Sequence, residues 1–424
     1  MRPNRRLLLS ALSAAPLVGA GAVQAQINGG AAQTDFTVTP EQFDPAAGTG
    51  STTIDTTATA AAARAIEARG YGRLLLSRPY QLGAPLALAC DHAVIEWATP
   101  HALLVLHHTG DGLVLGRQKS TGGARANDIH LIRPNIVQDA QGTKGIAIVA
   151  YQITGLRLHE PTIHGVLHGV ALGEDHPLAD NDVCEVYMTA PSISPGGGTG
   201  VMFRCGSIAD VYGGKLNGQG ATDTAAVLFG GERRNWDGVS WTQGTWEQWA
   251  VHLRLAGKGG GNAIFEGLQL DRATERGFDL TPAPGGEARH ICISNPNLSD
   301  REDAPSPNAS VGIYASNERG GLVDDIRIRG GRIEGFGRQG VYCKGAQRVS
   351  LVGADIHGCG GQTKNTWASA HFANCGIVSA HGNQLSSPSH RSGLKFEGKA
   401  QRNDDDDLGR SNTIVGALTQ PVES

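Results

Sequence analysis

The sequence predicts an all-β solenoid, a chain of short strands wound into repeated coils, and three observations carry that prediction. The first is a motif of one apolar residue, a second two positions on and a third seven positions on. It begins at Ile129, Leu156, Val186, Ala209, Val239, Ala263, Ile291, Ile326, Val349 and Val378. Copies start 23 to 35 residues apart, the spacing of a stacked repeat rather than of one globular core. The second is a small residue followed by apolar-any-apolar after every copy but one, as in Gly200-Val201-Met202-Phe203, Gly312-Ile313-Tyr314-Ala315 and Gly340-Val341-Tyr342-Cys343. Period-two alternation in both signals makes the repeating units strands. The third is composition: 60 glycines in 424 residues with 5% aromatics and no collagen period, which suits many tight turns.

Each segment then finds a place. Residues 1–25 read as a cleavable export signal, because Arg5-Arg6 precede an apolar run at 7–22 and Val23-Gln24-Ala25 supplies small residues for cleavage. The paired arginines fit a twin-arginine signal, and a general secretory signal fits too. Both predict a secreted or periplasmic protein. The run is too short to span a bilayer, and no later stretch reaches about 18 apolar residues, so no membrane span is expected. Residues 26–56, rich in Gly, Thr, Ala and Pro, are expected as an extended arm or linker. Residues 57–69 (TATAAAARAIEAR) are expected as the one helix, stopped by Gly70 and plugging the open N-terminal end of the coils. Strands are expected at 73–76, 85–90, 93–97, 103–107 and 112–115, with a last one near 413–418. A formal charge of −4 argues against a nucleic-acid partner, which calls for a basic stripe.

The helix, the strands after it and the ten motif copies together resemble the right-handed parallel β-helix proteins of the pectate-lyase-like superfamily, over roughly residues 55–420. The resemblance implies a single β-helix domain, 57–420, with three strands per coil. The motif would supply two of them, with a tight turn in the four residues between, where Gly330-Gly331, Gly353 or Pro296-Asn297 falls. The glycine strand would be the third, preceded by a long loop. About eleven coils at about 4.8 Å each would make a rod of about 50 Å. That fold hosts lyases, hydrolases, epimerases and adhesins, so chemistry has to be read from side chains.

If the apolar residues of each glycine strand point inward, the residue between them points out. Coil by coil that position reads Val114, Ala147, Ala171, Met202, Leu228, His252, Asp279, Tyr314, Tyr342, His371 and Lys395. The first five are apolar and the last six are polar or ionisable. Arg254, Ser316, Lys344 and Glu397 join the same face two residues on. Successive coils would set these groups about 5 Å apart, suited to grasping a linear chain of sugars. Tyr314, Tyr342, His371 and Asp279 are the candidate catalytic residues, being types that exchange protons once a neighbour shifts them. His252, Arg254, Lys344, Lys395, Glu397 and Trp367 are the candidate substrate contacts. The cations would neutralise a uronate carboxylate, as β-elimination requires when carbanion-like charge forms next to it.

These readings lead to a polysaccharide-active enzyme, first a lyase on an acidic glycan. A glycoside hydrolase is the alternative; it would need a second carboxylate about 5–9.5 Å from Asp279. Asp324-Asp325 echoes the polygalacturonase-like pair, but it precedes the wrong strand and no Gly-His-Gly is present. A non-catalytic glycan-binding or adhesin rod is the third reading. No cofactor is expected. Calcium would need converging oxygens, for which the acidic stretches 174–185 and 404–407 are the candidates. Cys359 and Cys375 are expected either to bridge an excursion or to act as buried apolar fillers. Trp236, Trp241, Trp246 and Trp249 form either a sugar platform or a core cluster. The five apolar outward positions predict a cover: a loop, the N-terminal arm or another subunit. Monomer and homotrimer both remain compatible.

Overall fold

The computed structural model describes residues 36–118, 124–138, 144–174, 182–300, 310–361, 363, 366–386, 391–399, 401–402, 412–415 and 422–423. The export signal and the 404–407 run lie outside the described residues, as do residues 175–181 of the first acidic stretch. The chain winds through three all-parallel sheets of 14, 13 and 13 strands, and each strand pairs with the equivalent strand one coil away. Thirteen strands per sheet exceed the eleven expected coils because the first and last coils lack the full motif.

The repeat fixes the register. The first motif position of all ten copies forms one continuous ladder in the first sheet, from Ile129↔Leu156 to Val349↔Val378. The third position forms a matching ladder in the second sheet, from Ile136↔Ile163 to Ile356↔Leu385. Both ladders are buried along the axis. Apolar burial of this kind is worth roughly 1.5–3 kcal/mol per large side chain, so every coil contributes to holding its neighbours. The glycines before the third-sheet strands are steric necessities: a Cβ on Gly312 would sit 2.4 Å from the Gly340 carbonyl oxygen of the next coil. A second regularity has no sequence signal. Asp128, Gly155, Glu185, Ile208, Gly238, Asn262, His290 and Asp325 all lie between ladder pairs of the first sheet with φ from 54° to 84°. This stack of left-handed residues interrupts the pairing of each strand in the same place without shifting its register.

Helix α1 runs Thr52–Arg69, so it begins five residues earlier than its composition indicated and takes over the end of the supposed arm. The reason is capping: the Ser51 side chain accepts from the Ile54 N–H, while Gly70 closes the other end at φ 83°. Its buried face, Ala58, Ala62, Ala63 and Ile66, plugs the rod. Asp55 is fully buried and accepts from the backbone N–H groups of Gly48 and Gln81, each at 2.7 Å, which ties the segment before the helix to the second coil. Thr37–Val38 adds the first strand of the first sheet rather than a free arm.

Two open alternatives close here. Cys359 and Cys375 are buried and form no disulfide, filling the core rather than bridging it. Trp236, Trp241, Trp246 and Trp249 are all fully buried, with Trp241 edge-on to Trp246 at 4.9 Å, so they form core and not a sugar platform. The reason was already in the motif, since Trp241 and Trp246 are the second and third apolar positions of the copy beginning at Val239.

Candidate active site

The outward row of the third sheet is read directly from its pairing. It runs Val114, Val149, Ala171, Met202, Leu228, Arg254, Asp279, Tyr314, Tyr342, His371, Lys395. Two expected members are displaced by two residues along their strands: Val149 stands where Ala147 was expected, and Arg254 where His252 was. The assignment of His252 to substrate is corrected by burial. Its side chain is fully enclosed, its Nε2 hydrogen-bonds the Asp271 carbonyl at 3.1 Å, and its Nδ1 has no partner. Burial pushes its pKa down to about 4, only partly opposed by that carbonyl. His252 is a neutral core residue.

The polar half of the row opens onto two adjoining cavities. One, of about 340 Å³, is lined by Tyr314, Tyr342, His371, Lys395, Arg276, Arg338, Trp367 and Glu318 among others. The other, of about 740 Å³, is lined by Arg254, Asp279, Asp223, Glu275 and Arg319 and shares Arg276 and Arg338 with the first. Tyr314 and Tyr342 stack at 5.3 Å, and the His371 ring meets Tyr342 edge-on at 5.1 Å. The pleat sets this spacing, because the three residues occupy consecutive rungs of one ladder.

Charges hold the array in place. His371 Nε2 lies 3.0 Å from Glu397, and the same Glu397 oxygen lies 3.2 Å from Lys395 Nζ. The Lys395 ammonium, aided by His371, keeps the Glu397 carboxyl below its ordinary range, so it is ionised at neutral pH. The Tyr314 hydroxyl donates to Glu318 at 2.8 Å, and Lys344 sits 3.8 Å from that carboxylate. Burial, then the Glu318 hydrogen bond, pushes the Tyr314 hydroxyl up to about 12. Burial, then Glu397 and Glu318, raises Tyr342 as well. Both phenols are therefore proton donors at neutral pH rather than bases. Arg276 lies over the Tyr314 ring at 3.9 Å, and Arg338 lies over the Trp367 ring at 4.1 Å.

The structure gathers Tyr314, Tyr342, His371, Lys395 and Trp367 around one cavity, with Glu397 held against His371 and Lys395 and Lys344 beside Glu318. It does not bring Arg254 there: Arg254 faces the second cavity, 3.0 Å from Asp223 and 3.8 Å from Glu275. Asp279 also differs from its expected catalytic role. It is 6% exposed, and its two oxygens take Arg276 at 2.7 Å and the Thr281 hydroxyl at 2.7 Å. It positions Arg276. Residues that sequence reasoning missed are Arg276, Glu318, Arg338 and Gln339, which sit on strand starts and loops where no repeat operates. Asp324 and Asp325 belong to the first sheet, away from this face, where Arg348 and Arg327 each hold one of them bidentately.

Among the described residues no group of three or more His, Cys, Asp or Glu side chains converges as a metal site requires. No described helix is long and apolar enough to cross a membrane.

No protein-family model matches the sequence, and no curated protein matches it. Solved structures do match by shape. The Agl-KA catalytic domain superposes with a TM-score of 0.54 at 12% identity, covering 92% of this chain and 69% of that one. A DFA-IIIase from Arthrobacter chlorophenolicus A6 without its lid gives 0.52 at 10% identity, covering 86% and 95%. The lidless DFA-IIIase in complex with GF2 gives 0.53 at 9%, covering 91% and 100%. Likeness at such identity speaks to architecture. With three parallel sheets, a capping helix and these neighbours, the chain is a right-handed parallel β-helix of the pectate-lyase-like fold.

Proposed function

We propose that the protein is a polysaccharide-active enzyme that cleaves an acidic glycan by β-elimination in the cavity at Tyr342. The observation that carries this reading is the run of Tyr314, Tyr342, His371 and Lys395 on consecutive rungs, with Arg276 and Arg338 on the wall. The strand positions offer proton-transfer groups and cations rather than facing carboxylates. His371, its ring fixed by Glu397, takes the proton from the carbon beside the uronate carboxylate. The electron pair left behind forms the double bond as the bond to the leaving oxygen breaks. Tyr342, kept protonated by its surroundings, gives that oxygen a proton. Lys395 and Arg276 stabilise the charge that develops on the carboxylate. Export through the N-terminal signal would bring the enzyme to such substrates.

A hydrolase is the second reading, and one observation favours it: Glu318 and Glu397 both act on Tyr342, so two carboxylates serve one site. The Agl-KA and DFA-IIIase likenesses fit either carbohydrate reading without choosing. Incubation with a panel of acidic polysaccharides separates them. A lyase product absorbs in the ultraviolet through its new double bond, whereas a hydrolase releases reducing ends without that absorbance. Binding without either signal would leave a glycan-binding rod and sink both enzyme readings.

A further inference from the structure

We infer that Arg338 is the residue that selects a carboxylate-bearing sugar at the junction of the two cavities, an inference that rests on the reading of this groove as a glycan site. The strand-borne cations of the groove are committed to carboxylates of the protein itself. Arg276 is 2.7 Å from Asp279, Lys395 is 3.2 Å from Glu397, and Lys344 is 3.8 Å from Glu318. Arg254 is held by Asp223 at 3.0 Å. Arg338 has no such partner among the described residues, although it lines both cavities. Arg319 also lacks one, but it is exposed on the second cavity alone, where water and salt screen its charge.

Arg338 is built into its place rather than left over. Its backbone N–H donates to the Ser310 carbonyl at 2.9 Å, and the Gly337 N–H donates to the Ser310 hydroxyl oxygen at 2.9 Å. That hydroxyl in turn donates to Asp300 at 2.6 Å, and Ser310 and Asp300 are buried. A buried hydrogen-bonded network thus fixes the turn that carries the side chain. The guanidinium then lies on the Trp367 face at 4.1 Å, which fixes its plane. Its Nε is sealed from solvent with no partner, so the donors it offers the cavity are its terminal amino groups. A planar, preorganised and electrostatically uncompensated guanidinium suits a planar carboxylate and gains little from a neutral hydroxymethyl group at the same position. A neighbouring cation already spent on Asp279 or Glu397 cannot discriminate as sharply.

The test compares a uronate glycan that the full-length protein cleaves with the same glycan after its carboxylates are reduced to alcohols. Arg338→Gln should raise KM for the acidic glycan by roughly ten- to hundredfold, the range of a charge-assisted hydrogen bond, and leave unchanged the affinity of the reduced glycan, which elimination cannot cleave and which is read as a competitive inhibitor. Arg338→Lys should recover part of the loss. An equal loss on both glycans, or no loss on either, overturns the inference. Should the wild type fail to cleave the acidic glycan, the enzyme reading fails separately, and calorimetric titration with a uronate oligosaccharide and its reduced counterpart decides Arg338 alone. A preference for the acidic oligosaccharide that Arg338→Gln abolishes supports selection; absence of any preference in the wild type overturns it.

Discussion

The third sheet carries two different surfaces on one backbone. In its N-terminal half the outward rungs Val149, Ala171 and Met202 are at most 2% exposed, and they pack with Ile146, Tyr151 and Leu228 into an apolar cluster of their own. Polar side chains of the same chain close over it: Gln118 bonds Glu174 at 3.0 Å and Arg204 reaches the Met202 sulfur at 3.3 Å. No second subunit is needed to bury these three rungs, although Val114 and Leu228 at the ends stay half-buried. In the C-terminal half the same rungs hold Arg254 to Lys395 and open onto cavities of about 340 and 740 Å³. Pairing and pleat are alike in both halves. The difference lies in rung identity and in whether neighbouring segments close over the face, so the coil supplies a ruler and the side chains decide what is measured with it.

The largest effects should come from the open half. His371→Ala and Tyr342→Phe should each lower activity by about 10²- to 10⁴-fold on an acidic glycan while melting near the wild type. Full activity in both variants would detach catalysis from this array. In the sealed half, Val149→Asp should cost about 3–5 kcal/mol, read from thermal or urea unfolding, because its carboxylate would be buried without a partner. Should that variant melt like the wild type, the cluster is open to water and the contrast between the halves disappears.

Between the two surfaces lies His252, and pH should reveal it. Its folded pKa is lowered to about 4 by burial. The unfolded chain therefore takes up a proton near pH 6.5 that the folded protein refuses. Stability should fall as pH drops from about 6.5 toward 4, by on the order of 3 kcal/mol from this residue. His252→Asn should flatten the melting profile across that window relative to wild type; an unchanged slope would mean that His252 titrates normally. The smallest effect is expected from reductant. With none of the seven cysteines in a disulfide, dithiothreitol should leave the melting temperature unchanged, and a drop of several degrees would reveal a bridge.

How much of this was legible follows from what each signal depends on. The ten motif copies map one to one onto two ladders because inward positions face the same apolar axis in every coil, so the constraint recurs and is visible. The abrupt change of the outward row from apolar to polar was readable for the same reason, and it led to Tyr314, Tyr342 and His371. The slip at His252 came from Val251-His252-Leu253-Arg254-Leu255, in which all three apolar residues are buried and alternation alone does not say whether His252 or Arg254 stands in the row. The hydrogen bond from His252 to the Asp271 carbonyl depends on the end of a strand in the next coil, which no local pattern records. Arg338 and Glu318 were invisible because they sit on connections whose sequences repeat nothing.

The sequence alone determined the winding: periodic apolar residues must be buried, and only stacked parallel coils bury all ten copies at once. Tertiary structure decided which polar groups meet, which cations are already neutralised and which rungs stay open. Those outcomes depend on contacts between residues about a coil apart in the chain and on side chains from loops of different length. Local spacing encodes neither, because an ion pair across coils is set by position in space rather than by order along the chain.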